Sequence, residues 1–340
     1  MGDQVTGDDR ASAVDQSAGP GLTPADLDVI ARVFGVAPDE IDAVESLTQG
    51  MTNTNFVFRV GQREYVYRRP GVGTDALIDR HQEQRTYELV GPLGLADELH
   101  YFDGQSGVKI TTYYADARLS DPESQTDLAQ SMALLRRIHQ AGVIAPHRFD
   151  IAERIDYYER LARQGGITLP DYPRVRVQAD ELLALRRAWA VPEVLCHVDF
   201  VYANILHLSD GQMRIIDWEY AGAADPLIDV AMYSIYAYYT RPQIDQALGL
   251  YLGRAPTRQE TARVYLYVGL GGFLWSLWTQ YKENLGDSFG DYAATMYRYL
   301  TDYYQVLRDD GWLMRPSAVT VPSEQEQPAG HDLGQVGLVD

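Results

Sequence analysis

The chain of 340 residues has one cysteine, Cys196, so no intrachain disulfide can form. Nothing at the N-terminus reads as a signal peptide, and both features point to a reducing, cytoplasmic setting. Lysine is almost as scarce: Lys109 and Lys282 are the only two, and arginine supplies the remaining fixed positive charge. Acidic residues outnumber basic ones, 48 to 29, for a formal charge of −19. Such a surface repels a phosphate backbone, so nucleic acid is not an expected partner, whereas a small cation would be attracted. No apolar run reaches the ~18 residues that a membrane span requires. The nearest, 264–278, contains Gly269, Gly271 and Gly272 and reads as a buried helix.

What is present is a globular composition with organised apolar patterning. Residues 1–21 and 316–340 are rich in small and polar types without an apolar period, and read as disordered tails. Thr23 and Pro24 open a first helix, its buried face made by Leu27, Ile30, Val33 and Phe34. Strands are expected at 44–49, 56–60, 64–69, 99–102 and 108–114, with a helix at 75–89. Beyond Tyr114 the pattern turns helical, at 122–140, 151–164, 179–190, 227–239, 243–252, 257–284 and 289–308. A strand-rich part followed by a helix-rich part implies an α+β, two-lobed architecture, a small antiparallel sheet lobe and a larger helical lobe. The hinge is expected near 111–116.

The most informative stretch is 195–219, L-C-H-V-D-F-V-Y-A-N-I-L-H-L-S-D-G-Q-M-R-I-I-D-W-E. Ser209-Asp210-Gly211 is a turn signal between two apolar runs, which should pair as a hairpin. The hairpin brings Asn204 and Asp217 to one end, close to Asp199. An amide oxygen and two carboxylates are hard donors of the kind that suit magnesium. Any one of them could merely cap a turn; three at this spacing suggest a phosphoryl-transfer centre.

His197-x-Asp199-x-x-x-x-Asn204 followed by Ile216-Asp217-Trp218-Glu219 resembles the kinase-like small-molecule phosphotransferases, which include choline/ethanolamine kinases and aminoglycoside phosphotransferases. The resemblance implies a protein-kinase-like fold, ATP and Mg2+ as cofactors, Asp199 as catalytic base, and Asn204 and Asp217 as metal ligands. Glu219 would hold a second ion or brace the site. His197 would brace the loop, and residues 225–231 (D-P-L-I-D-V-A) resemble the family's next segment, whose Asp starts a helix and steadies the loop, so Asp229 would be structural, as a helix cap. In the front part, residues 47–56 (L-T-Q-G-M-T-N-T-N-F) resemble the phosphate-covering loop of the choline kinase branch, implying contacts from Gly50, Thr52, Asn53 and Asn55. Arg68 stands where protein kinases carry a phosphate-binding lysine, and Glu83 matches its helix partner. Arg69, on the alternate face of the strand, is expected in solvent. Tyr113 to Ala115 match the strand whose backbone binds adenine. Residues 22–115 would then be the nucleotide-binding lobe and 116–315 the catalytic and substrate-binding lobe.

For the acceptor, Trp275 and Trp278 share one helix face. Their segment, F-L-W-S-L-W, resembles one whose tryptophans enclose a trimethylammonium group in choline kinases. Aromatics at helical spacing also suit a core. Tyr236 is the further candidate wall, while Tyr233, Tyr238 and Tyr239 could join it or pack inside. The histidines show no ligand-like cluster. The expected activity is transfer of the terminal phosphate of ATP to choline. Ethanolamine, thiamine or an aminoglycoside are alternative acceptors, and a kinase-like binding module without turnover is the alternative of another class.

Overall fold

The structure, a computed structural model, describes residues 21–47, 53–71 and 73–313. Helix α1 (Pro24–Phe34) begins where expected. The Thr23 hydroxyl accepts the Asp26 N–H, and the Asp26 carboxylate accepts the Thr23 N–H at 2.8 Å, a reciprocal cap. Strands β1 (Ile41–Leu47), β2 (Asn53–Val60) and β3 (Arg63–Pro70) follow; β1 starts earlier than the sequence suggested, and Gln49 lies outside the described residues. Helix α2 (Arg80–Val90) also differs from expectation. Residues 74–76 form a separate 3-10 turn after Gly73, and Asp79 restarts the chain as a cap, accepting the His81 and Gln82 N–H groups. Strands β4 (Leu99–Phe102) and β5 (Lys109–Thr112) complete an antiparallel sheet in the order β1-β2-β3-β5-β4. Its register sets Arg68 opposite Asn55 on one side and Lys109 on the other.

Helices dominate the rest. The order is β6 (Arg118–Leu119), α3 (Gln125–His139), α4 (Ile151–Gly165), α5 (Tyr172–Ala188), β7 (Val194–Cys196), β8 (Ile205–His207), β9 (Met213–Ile215), β10 (Gly222–Ala224), α6 (Leu227–Tyr236), α7 (Arg241–Leu252), α8 (Arg258–Asn284) and α9 (Tyr292–Asp309). Helix α5 starts earlier than expected because Pro173 occupies its first turn. Helix α6 stops at Tyr236, short of the expected 239, and Tyr238 takes a left-handed φ of 53°. The hairpin read from Ser209-Asp210-Gly211 is present as β8 and β9, flanked by β6.

Helix α8 runs through the middle of the helical lobe against α4, α5, α6 and α9. Its glycines explain how: a Cβ on Gly272 would lie 2.5 Å from the Met296 carbonyl oxygen, so only glycine lets α9 come this close. The front sheet has its own core of Ile30, Phe56, Phe58, Tyr65, Tyr67 and Ile110. The lobes are stitched by backbone: Ile215 N–H donates to the Leu95 carbonyl at 2.7 Å, and Asp97 N–H to the Ile215 carbonyl at 3.3 Å. The two-lobed α+β arrangement is therefore the one the sequence implied. Among the described residues no helix is long and apolar enough to cross a membrane.

Candidate active site

The loop after β7 is held in a costly shape. Val198, a β-branched residue, has a φ of 69°, and Asp217 has one of 67°. Aspartate adopts left-handed backbone comparatively readily, but at a β-branched residue it persists only where surroundings enforce it. At Val198 the enforcement is visible. The buried Asp229 carboxylate accepts the His197 N–H at 2.8 Å, the Val198 N–H at 2.6 Å and the His139 Nε2–H at 3.0 Å. The expected capping role for Asp229 is thus corrected. It lies inside the first turn of α6, and Asp225 is the residue whose carboxylate takes the Leu227 N–H at the helix start. His197 is buried between Phe200 and Trp218, and its Nε2 meets the Ile216 carbonyl at 3.0 Å. It joins the loop to the end of the hairpin, and burial lowers its affinity for a proton.

Asp199, Asn204 and Asp217 converge at that end. Asn204 Nδ2 donates to the Asp199 carboxylate and carbonyl, both at 3.0 Å, which turns its amide oxygen away from Asp199. Asp199 Oδ1 is buried and has no hydrogen-bond partner among the described residues. Burial, then the nearby charges of Asp217 and Glu219, raise the Asp199 carboxyl well above the ordinary carboxylate range. Asp217 keeps 32% of its side chain exposed and meets Arg68 Nη1 at 3.4 Å. The amide oxygen and carboxylates form a donor set suited to a hard cation.

Above them lies a buried lattice of charges. Arg68 forks onto Glu83 at 2.6 and 2.9 Å and donates to the Gly107 carbonyl. Although burial opposes ionisation, Arg68, Lys109 and Arg80 hold the Glu83 carboxyl below its ordinary range. Arg80 Nη1 reaches Glu83 and Glu219, each at 3.1 Å. Asn53 Nδ2 donates to the same Glu219 oxygen at 3.3 Å. Carboxylate oxygens of Glu83, Asp217 and Glu219 lie within 4.8 Å of one another. The Arg68–Glu83 pair was legible from sequence; Arg80 was given no role there, though its i,i+3 spacing to Glu83 is a signal. Lys109 was noticed only as a rare lysine, yet its Nζ stands 3.5 Å from Glu83 and donates to Tyr87.

Other expected site residues sort as follows. Gly50 and Thr52 lie outside the described residues. Tyr113 N–H is bonded to the Glu64 carbonyl, which leaves its carbonyl as the backbone group to consider, and Ala115 is exposed just beyond β5. Arg69 is not in solvent: it pairs with Asp26 and lies over the Phe56 ring, because α1 covers that face of the strand. His139, Cys196 and Asp229 do gather, contrary to the expectation that no histidine would join a ligand-like group. Both ring nitrogens of His139 are hydrogen-bonded, to Asp229 and Tyr251.

Aromatic residues of the helical lobe form a cluster in which the expected cage tryptophans are buried core side chains, Trp275 at 2% and Trp278 at 3% exposure. Trp275 meets Tyr220, Tyr236 and Trp278 edge-on, at centroid distances of 5.2, 6.4 and 6.3 Å. Tyr236 and Tyr292 are half-buried, 6.1 Å apart, and Trp278 packs on Phe289. Burial raises the Tyr220, Tyr236 and Tyr292 hydroxyls, and the Asp199 charge adds to each, so the cluster lies within electrostatic reach of that carboxylate. Tyr233 and Tyr239 are core residues, and Tyr238 points outward. Neither Tyr220 nor Tyr292 was given a role from sequence; Tyr220 directly follows Glu219 of the catalytic motif, and Tyr292 lies in 289–293, a stretch similar to the end of the choline kinase family.

A family model described as "Phosphotransferase enzyme family" matches residues 43–267. The chain belongs to this family. It is 30% identical over 261 residues to Protein LicA of Haemophilus influenzae, covering 72% of this chain and 75% of the relative. Ethanolamine kinase 2 of Rattus norvegicus is 26% identical over 269 residues, 69% of this chain and 68% of the relative. The solved choline kinase LicA from Streptococcus pneumoniae superposes with a TM-score of 0.72 at 28% identity, over 82% of this chain and 98% of that one. A LicA structure in complex with AMP gives the same TM-score. The phosphotransferase is accordingly a small-molecule kinase of the choline/ethanolamine kinase group.

Proposed function

We propose that this kinase transfers the terminal phosphoryl group of ATP to the hydroxyl of choline. The observation that carries the reading is a convergence: Asp199, Asn204 and Asp217 meet below Arg68, within electrostatic reach of the Tyr220, Tyr236 and Tyr292 hydroxyls. The Asn204 amide oxygen and Asp217 would hold magnesium, which when bound neutralises charge on the phosphates. Asp199 orients the acceptor hydroxyl and takes its proton, and its raised proton affinity suits that task. The hydroxyl oxygen forms a bond to the terminal phosphorus as the bridging bond to ADP breaks. Arg68, braced by Glu83, faces the phosphates as a fixed cation. Glu219 is already engaged by Arg80 and Asn53, which favours bracing over metal ligation.

Tyr236 and Tyr292, the half-buried members of the aromatic cluster, suit a quaternary ammonium, with buried Trp275, Trp278 and Tyr220 in the same cluster, each accessible ring contributing ~0.5–2 kcal/mol by cation–π attraction. A primary ammonium such as that of ethanolamine would seek carboxylates or carbonyls instead. The test is incubation with magnesium, ATP and choline, followed by phosphorus NMR. Phosphocholine should accumulate in step with ADP; absence of phosphocholine while another alcohol is phosphorylated would overturn the assignment.

A further inference from the structure

We infer that Arg80 is a positioning residue for nucleotide binding, a role resting on the reading of the interlobe centre as the magnesium–ATP site. Three buried or half-buried carboxylates, Glu83, Asp217 and Glu219, share this small space. Arg68 is within 2.6 Å of Glu83, 3.4 Å of Asp217 and 3.6 Å of Glu219. Without a second guanidinium, Arg68 would be drawn among all three, and the Asp217 carboxylate would be tied up by it. Arg80 changes that balance. It takes Glu219 at 3.1 Å and shares Glu83 Oε2 with Arg68, also at 3.1 Å, so Arg68 can stay forked on Glu83 without having to serve Glu219. With Lys109, these cations offset much of the negative charge of Glu83, Asp217 and Glu219, which lowers the repulsion that incoming phosphates meet. Glu219, so held, in turn accepts from Asn53, the first described residue after the loop that would cover the phosphates.

Arg80 is itself locked. Its Nη2 donates to the buried Thr74 hydroxyl at 3.0 Å, and that hydroxyl donates to the Gly71 carbonyl at 2.8 Å. A Cβ on Gly107 would fall 2.7 Å from Arg80 Nε, so the opposite wall is equally close. The turn bearing Thr74 is tethered to the helical lobe, where the Tyr157 hydroxyl donates to the Ala76 carbonyl at 2.6 Å and Arg154 donates to the Leu77 carbonyl at 3.2 Å. A guanidinium fixed by both lobes is suited to set geometry rather than to touch substrate.

The experiment compares Arg80→Met, Arg80→Lys and Thr74→Val with the wild-type chain. Calorimetry measures ADP affinity with and without magnesium, and steady-state kinetics give KM for ATP, KM for choline and kcat. Arg80→Met should weaken ADP binding and raise KM for ATP by about 10- to 100-fold, as loss of one or two charge-assisted contacts implies, with KM for choline unchanged. Arg80→Lys should recover part of the loss, since one ammonium can meet the two carboxylates that Nη1 meets but cannot also hold Thr74 as Nη2 does. Thr74→Val, which keeps every charge, should give a smaller loss of the same kind. Wild-type ADP affinity in folded Arg80→Met overturns the inference. So does an equal rise in both KM values, the mark of a merely structural defect. If Arg80→Met does not fold, unchanged ADP affinity in both Arg80→Lys and Thr74→Val overturns it. Failure of the wild-type chain to bind ADP would instead strike at the nucleotide-site reading itself.

Discussion

Replacing Asp229 by Asn should damage stability and turnover together, although Asp229 touches neither proposed substrate. Its carboxylate is fully buried and accepts two backbone N–H groups and the His139 ring N–H. An amide has one oxygen, so whichever way it turns, at least one of these donors faces an NH2 group. Leaving one buried donor unmet costs about 1–3 kcal/mol, and exchanging a charged acceptor for a neutral one weakens the bonds that remain, for a total of about 2–5 kcal/mol. The release is worse because the Val198 φ of 69° is strained, with ~1–2 kcal/mol driving it out of the left-handed region once unpinned. Asp199 is the next residue, and a shift of about 1 Å at a reacting group can cost ~100-fold in rate. The assays are thermal unfolding and kcat at saturating ATP and choline. Both should fall, kcat by about 100-fold or more. Wild-type kcat in a folded but destabilised Asp229→Asn variant would refute the link between this carboxylate and the loop.

Asp199→Asn should do the opposite to stability: burial and the neighbouring carboxylates disfavour its charge, so melting at neutral pH should be unchanged or higher while kcat falls by about 100- to 10,000-fold; a large drop in melting temperature would contradict the electrostatics. In the front lobe, burial pulls Asp26 up, but hydrogen bonds from Thr23, Tyr67 and Arg69 outweigh it and hold its carboxyl below the ordinary range. Its stabilisation is therefore complete above the unfolded value of about 4 and is lost as pH falls through the lower folded value, so the melting-temperature gap between wild type and Asp26→Asn should narrow in acid; a gap that widens below pH ~4 would reverse the sign. Gly272→Ala should destabilise by about 1–3 kcal/mol in denaturant titrations despite alanine's better helix propensity, because the new methyl meets the Met296 carbonyl; an unchanged midpoint would mean that α9 can move away.

Local signals carried much of the fold and site into the sequence. The β8–β9 hairpin follows from a turn tripeptide between apolar runs, and the gathering of Asp199, Asn204 and Asp217 follows from that hairpin. The Arg68–Glu83 pair was legible through a family pattern that spans 15 residues. What escaped depends on contacts with no local trace. Arg80 meets Glu219 from 139 residues away; that an Asp of 225–231 steadies the loop came with the family pattern, but the reach of Asp229 back over 32 residues to His197 left no local trace, so it was read as a helix cap. Strand alternation put Arg69 outside correctly as to face, but could not show that α1 lies on that face and offers Asp26. The helix at 75–89 was overextended because its apolar spacing continues through Leu77 and Ile78, which pack in the core without being helical.

The claim that the aromatic cluster near Asp199 favours a quaternary ammonium alcohol is tested most directly by one ratio. It is kcat/KM for choline against ethanolamine, measured on a single preparation at fixed magnesium and ATP. Cation–π stabilisation from two or more rings predicts a preference for choline of about fivefold or greater. A ratio at or below unity would contradict it.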